Sequence, residues 1–213
     1  MSDTLARDLA KMLGGSVGIG WSVVSDAEDL WPEERPAVIR AIPKRQAEFA
    51  AGRRAARIAL QSIGHPGVAL PVGETRAPLW PPGILGTITH DAGLAMSAVL
   101  PEPDAKGLGI DLTMAEPLPG ETRRAILPHA SEADLDPLTA RVGFSAKETL
   151  FKALFRQVGT FFGFAAVDVR PDLATERFDI RLRDPLGDIP VGTTWQGRFV
   201  IRGGRILTAL VIV

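Results

Sequence analysis

The chain has 213 residues, with 24 Lys and Arg against 25 Asp and Glu, 46% hydrophobic residues and no cysteine. That length holds one large domain or two small ones, and the net charge of −1 excludes a general nucleic-acid binder, which needs a basic footprint to release counterions. Without cysteine there are no disulfides, thiolate metal sites or cysteine nucleophile, and a reducing, cytoplasmic setting is expected.

Taken in chain order, residues 1–15 mix charges with apolar positions and read as a short amphipathic helix, with no continuous apolar stretch for secretion. Residues 16–24 are β-branched and uncharged, which predicts a buried strand. From Pro43 to Ile63, Phe49, Ala56 and Leu60 recur at helical spacing. This segment is the local basic patch: Arg40, Lys44, Arg45, Arg53, Arg54 and Arg57 face a single acid, Glu48. Gly64 to Gly83 is a Pro- and Gly-rich loop that Trp80 must anchor. Two strands, 84–90 and 94–100, follow around a tight turn.

Pro101 to Gly107 reads as a linker, dividing the chain at 1–105 and 106–213. Leu108 to Thr113 is a strand in which alternation puts Leu108, Ile110 and Leu112 on one face and Gly109, Asp111 and Thr113 on the other. A helix is expected over 132–156, broken or kinked near Pro137 and Gly143. Four strands follow, at 165–170, 176–183, 193–202 and 205–213, the last two around the hairpin signal Gly203-Gly204. The longest apolar run, Ile206 to Val213 interrupted by Thr208, is too short to cross a membrane.

The two halves resemble each other. GIGWS (Gly18 to Ser22) matches GIDLT (Gly109 to Thr113) at an offset of 91, and FAAGRRAARIAL (Phe49 to Leu60) matches FSAKETLFKALF (Phe144 to Phe155) at an offset of 95. This alignment pairs Gly20 with Asp111 and Arg53 with Glu148, so one half is basic where the other is acidic. A duplicated unit would make an α+β protein of two pseudo-symmetric α/β halves, with its ligand site in the cleft between them.

Asp111 and Glu148 form the first chemical constellation. Two hard oxygen donors without His or Cys suit Mg²⁺, which completes its shell with waters and phosphates. Glu148 has a competing structural reading, because Ser145-x-x-Glu148 fits a capping box and Glu148 with Lys152 is a favourable i,i+4 pair. Asp111 has less of one, since an acid in an apolar strand is costly unless paired or metal-bound. The second constellation is cationic: Arg45, Arg53, Arg76, His90, Lys147 and Lys152, which are either solvated surface charges or a pocket for several phosphates. There is no P-loop, no G-x-G-x-x-G after a strand, no G-x-S-x-G elbow and no zinc spacing of His.

The segments EFAAGRRAA (Glu48 to Ala56), TRAPLWPPGILGTITH (Thr75 to His90), GIDLT and FSAKETLFKA (Phe144 to Ala153) together resemble the 4′-phosphopantetheinyl transferases, specifically the large pseudo-dimeric class in its enterobactin-synthase-component-D-like branch. The resemblance implies a holo-carrier-protein synthase. It would transfer 4′-phosphopantetheine from coenzyme A to a serine of an apo acyl or peptidyl carrier protein, with Mg²⁺ or Mn²⁺, releasing 3′,5′-ADP, in siderophore or other secondary metabolism. It implies Asp111 and Glu148 as metal ligands, Glu148 as general base, and Lys152 at the pyrophosphate with Lys147 less directly. Arg53, Arg76 and His90 would meet the phosphates of coenzyme A, joined by Arg45 on the ground of its charge and proximity, and the backbone of Gly86 to Thr89 would border the adenine. The first half would bind coenzyme A and the second hold the metal and catalytic groups. The carrier would dock around Arg123, Arg124 and Leu127 to Ala130; no nucleic-acid or membrane partner is expected, and the enzyme would be a monomer. Thr113 stands where relatives often carry a third acidic ligand, so a water would fill that place. The competing functions are an inactive coenzyme A or carrier-binding module, which Thr113 favours, and a Mg²⁺-dependent nucleotide phosphohydrolase.

Overall fold

A computed structural model describes residues 2–27 and 29–213. Helix α1 (Ser2–Leu13) leads into β1 (Gly18–Val23), α2 (Pro43–Ser62), β2 (Ile84–Asp91) and β3 (Leu94–Pro101). The remainder comprises β4 (Gly107–Met114), α3 (Gly120–Ile126), α4 (Pro137–Val158), β5 (Val167–Asp172), β6 (Arg177–Leu182), β7 (Thr194–Arg202) and β8 (Arg205–Ile212). The strands form two antiparallel sheets, β1-β3-β2 and β4-β8-β7-β6-β5. The protein is therefore α+β, with one long helix packed on each sheet.

Glycine sets how closely those helices approach. A Cβ on Gly18 would lie 2.3 Å from the Ala59 carbonyl oxygen and one on Gly20 2.0 Å from that of Ala55. In the second unit the same approaches recur at Gly107, 2.3 Å from the Ala153 carbonyl oxygen, and Gly109, 2.0 Å from that of Thr149. No side chain fits at such distances, so α2 and α4 rest directly on strand backbone. These contacts correct the register read from sequence: Gly18 corresponds to Gly107 and Ala59 to Ala153, offsets of 89 and 94. Asp111 then corresponds to Ser22, Glu148 to Arg54 and Lys147 to Arg53, not to the partners that letter identity suggests.

A second repeated device supports the duplication. The fully buried Glu34 accepts from the backbone of Trp31 and Leu70 and from Arg57 on α2. The fully buried Glu132 accepts from the backbone of His129 and Val169 and pairs at 2.8 Å with Lys147 on α4. In each unit one carboxylate ties the loop before the long helix, a later loop or strand, and the helix itself.

Two helical expectations change. Helix α4 starts at Pro137, because the Asp136 side chain caps the Leu138 and Thr139 amides and Pro137 takes the first turn, where no N–H is needed. Glu132 lies before it, in a short 3₁₀ turn. Gly143 does not break the helix; its missing Cβ admits Val169. Helix α3 was not anticipated, being short, capped by no side chain and lacking an apolar period.

The sheets meet along β2 and β4 through side chains. Thr87 Oγ1 accepts from the Ile110 amide, Thr89 Oγ1 from the Leu112 amide and Asp91 Oδ2 from the Met114 amide. Behind this seam one core joins both halves, including Leu5, Leu9, Leu85, Met96, Ile110 and Leu207. Among the described residues no helix is long and apolar enough to cross a membrane.

Candidate active site at the seam

Asp111 stands in the middle of β4, on the face that turns toward α4. Asp111 is only 8% exposed, and its carboxylate is met by three groups from two elements, α4 and β2. Lys152 Nζ donates to Oδ1 at 2.8 Å, Thr89 Oγ1 lies 3.2 Å from Oδ1, and Ser145 Oγ donates to Oδ2 at 2.8 Å. The acid that an apolar strand should not tolerate is thus paired and hydrogen-bonded.

Arg141, Ser145, Glu148 and Lys152 occupy one stripe of α4 at spacings of three and four, lying over β4. Ser145 and Glu148 sit in the helix interior, so they form no capping box, and the Ser145 hydroxyl is spent on Asp111. Lys152 turns to Asp111 and to the Ile110 carbonyl. Among the described residues the Glu148 carboxylate has no hydrogen bond or ion pair. Burial raises its pKa, the charge of Asp111 raises it further, and Lys152 opposes both.

Across the seam, Arg45 at the start of α2 donates from Nη1 to His90 Nε2 at 2.7 Å, while Glu48 lies 3.9 Å from the other ring nitrogen. Burial, then Arg45, lowers the His90 pKa. Arg53 is 5% exposed, donates from Nε to the Leu70 carbonyl and lies over the Phe49 ring at 4.0 Å. Burial lowers its pKa to about 10, so it remains cationic at neutral pH. Its two terminal nitrogens have no partner among the described residues.

Between the halves lies a cavity of ≈ 1090 Å³. Lys152 and Arg76 border it, and Trp80, Leu79, Phe151, Phe155 and Phe161 give it an apolar wall. Trp80 lies flat on β2 at Gly86, where a Cβ would come within 2.3 Å of the indole. Arg76 enters the rim with a positive φ of 67°.

Several of the expected residues have their side chains engaged within the fold. Lys147 is 2% exposed and its ammonium is consumed by Glu132 and the Ile126 and Phe164 carbonyls, so it holds the fold instead of facing a pyrophosphate. The Thr89 side chain is committed to Asp111 and the Leu112 amide, and the neighbouring Gly86, Thr87 and Ile88 line the cavity. Arg123 braces the segment before α4 through the Ala133 and Leu135 carbonyls and Leu127 is buried, which leaves Arg124 as the exposed cation of the expected docking region.

Sequence reasoning missed Arg141. It donates to Thr113 Oγ1 at 2.6 Å and to the Met114 carbonyl at 3.0 Å, so the hydroxyl standing where a third acid was anticipated faces a guanidinium. The i−4 and i−7 spacings from Ser145 and Glu148 were the available signal.

Residues 33–100 match the family model described as the 4′-phosphopantetheinyl transferase N-terminal domain. The chain is 38% identical to the 4′-phosphopantetheinyl transferase Svp of Streptomyces mobaraensis over 90% of this chain and 86% of that one. It is 34% identical to the 4′-phosphopantetheinyl transferase PptT of Mycobacterium tuberculosis over 85% of each chain. Enterobactin synthase component D of Salmonella typhi is 29% identical over 84% of this chain and 77% of its own. With relatives at this identity aligned along most of both chains, and a seam carrying acids and cations from both halves, the protein belongs to the 4′-phosphopantetheinyl transferase family, in its enterobactin-synthase-component-D-like branch.

Proposed function

We propose that this transferase moves 4′-phosphopantetheine from coenzyme A to a serine of an apo acyl or peptidyl carrier protein, with Mg²⁺ held by Asp111 and Glu148. The observation that carries the reading is the meeting of Asp111, Glu148 and Lys152 beside a cavity that both halves line. The donor set fits Mg²⁺. Two carboxylates lie close enough for one to raise the pKa of the other, and among the described residues Glu148 has no hydrogen bond or ion pair of its own. Among the described residues no third His, Cys, Asp or Glu joins them, which suits an ion that keeps waters and takes phosphate oxygens. When bound, Mg²⁺ would neutralise charge on the pyrophosphate.

The chain's own groups divide the remaining work. Arg45, Arg53, Arg76 and His90 hold the phosphates of the nucleotide end, with Gly86 to Ile88 beside the base. Lys152 leaves Asp111 for the pyrophosphate, and the apolar cavity wall receives the pantetheine chain. The carrier serine oxygen forms a bond to the phosphorus that bears pantetheine, while the bond from that phosphorus to the bridging oxygen breaks and 3′,5′-ADP departs. Glu148 accepts the serine proton, a role its raised pKa favours. In this reading residues 1–105 bind coenzyme A and residues 106–213 supply metal and base.

Incubation with coenzyme A, Mg²⁺ and several apo carriers from siderophore, peptide or polyketide synthases, followed by mass spectrometry of the carriers, tests the proposal. A phosphopantetheine mass increment is expected. No increment with any carrier would indicate a binding module, and phosphate release without a carrier would indicate a hydrolase.

A further inference from the structure

The apolar strand β8 carries one polar residue at its centre, Thr208, directly opposite Asp111 in the β4–β8 register. Thr208, Ser145 and Thr149 are all 0% exposed. Their hydroxyls form a row: Thr149 Oγ1 is 2.6 Å from Thr208 Oγ1, which is 2.9 Å from Ser145 Oγ, which is 2.8 Å from Asp111 Oδ2. A carboxylate can only accept, so the Ser145 proton lies toward Asp111. The Ser145 oxygen is then free to accept from Thr208, and the Thr208 oxygen from Thr149. The longer approaches of Thr208 Oγ1 to the Ser145 and Asp111 carbonyls, 3.2 and 3.4 Å, are weaker alternatives for the same proton.

The Ser145 hydroxyl satisfies the buried carboxylate, but Thr149 and Thr208 lie behind it, where valine would fill the same space without the desolvation cost of a hydroxyl. What the row does accomplish is directional. It ties Oδ2 to the interior and leaves Oδ1 toward Lys152 and the cleft.

We propose that Ser145 and Thr208, backed by Thr149, are positioning residues that lock the Asp111 carboxylate in the orientation in which it takes a divalent cation. The inference rests on the reading of Asp111 as a metal ligand. Outer partners of a ligating carboxylate commonly govern metal affinity by about 10- to 100-fold.

The test is Mn²⁺ binding to the intact protein, followed by the loss of the free-ion electron paramagnetic resonance signal, for wild type, Asp111→Asn, Ser145→Ala, Thr208→Val and Thr208→Ser. Thr208→Val keeps the shape and removes the hydroxyl; Thr208→Ser restores it. Ser145→Ala and Thr208→Val are expected to weaken Mn²⁺ binding about tenfold or more, and Thr208→Ser to return it to within about threefold of wild type. Coenzyme A affinity without metal should stay unchanged in all three. Wild-type affinity in folded Ser145→Ala and Thr208→Val would overturn the positioning role while leaving the metal reading intact. Absence of Mn²⁺ binding by the wild type, or full binding by Asp111→Asn, would overturn the metal reading and this inference with it.

Discussion

Glu148 carries its charge at a cost to the fold. Burial first, and Asp111 second, hold its carboxyl above the ordinary value of 4.5. A carboxyl whose pKa is higher in the folded than in the unfolded protein destabilises the fold above its folded pKa, and that cost disappears as pH falls to 4.5 and below. Glu148→Gln should therefore raise the melting temperature of the metal-free protein by about 1–3 °C at pH 7.5, leave it unchanged near pH 4, and abolish transfer. A melting temperature lowered at pH 7.5 would contradict the account. His90 gives a second residue-level test. Arginine only donates, so the Arg45 contact makes His90 Nε2 an acceptor and fixes the neutral ring with its proton on Nδ1. Burial and Arg45 keep that ring neutral at pH 7. If a coenzyme A phosphate binds there, as proposed, it would raise the His90 pKa, so binding would take up a proton and affinity would fall as pH rises from 6 to 8. Titration calorimetry in buffers of different ionisation enthalpy should record that uptake, and His90→Asn should remove it.

At the scale of the element, α4 shows both what the sequence makes legible and what it hides. Its chemistry-bearing stripe could be read, because Glu148 and Lys152 are four apart and share a face. Lys147 and Lys152 are five apart, about 140° around the helix, so they cannot serve one site from one face. That arithmetic, applied to the two lysines, takes Lys147 off the face of Lys152, and the structure places it in the core, where Glu132 meets it. Lys147→Met leaves Glu132 buried without its cation, and breaking such a pair costs about 3–5 kcal/mol. Denaturant melts should show that loss, with coenzyme A affinity retained in the folded fraction; a selective loss of affinity at wild-type stability would restore Lys147 to the ligand site. The two-residue slip in the duplicated strands has a similar origin. Identity favoured aligning Gly18-Ile19 with Gly109-Ile110, whereas the true register is set by where a Cβ is forbidden, a property of the helix above the strand and not of the letters. Gly109→Ala, with its methyl 2.0 Å from the Thr149 carbonyl oxygen, should cost about 3 kcal/mol or more by the same melts.

For the whole molecule, the question raised by length, one domain or two, resolves into two sheets that share a core. The basic segment 40–57 and the acidic Asp111 were visible in sequence because each is local. The seam was not, because it depends on which face of β2 meets which edge of β4, and Thr87 and Thr89 look like ordinary strand residues until they take the amides of Ile110 and Leu112. Helix α1 extends the union: Leu5 and Leu9 are fully buried in a cluster that includes Leu85 and Met96 from one sheet and Ile110 and Leu207 from the other. Cutting the chain between 105 and 106 would expose that cluster on both pieces. It would also strip partners from three β4 amides, those of Ile110, Leu112 and Met114, each buried group without a partner costing about 1–3 kcal/mol. Residues 1–105 and 106–213 produced separately should each give poorly dispersed amide spectra, and mixing or co-expressing them should restore a dispersed spectrum with coenzyme A binding. A fragment that folds alone to native stability would mean that the shared core is dispensable and that the seam is a contact between two finished domains.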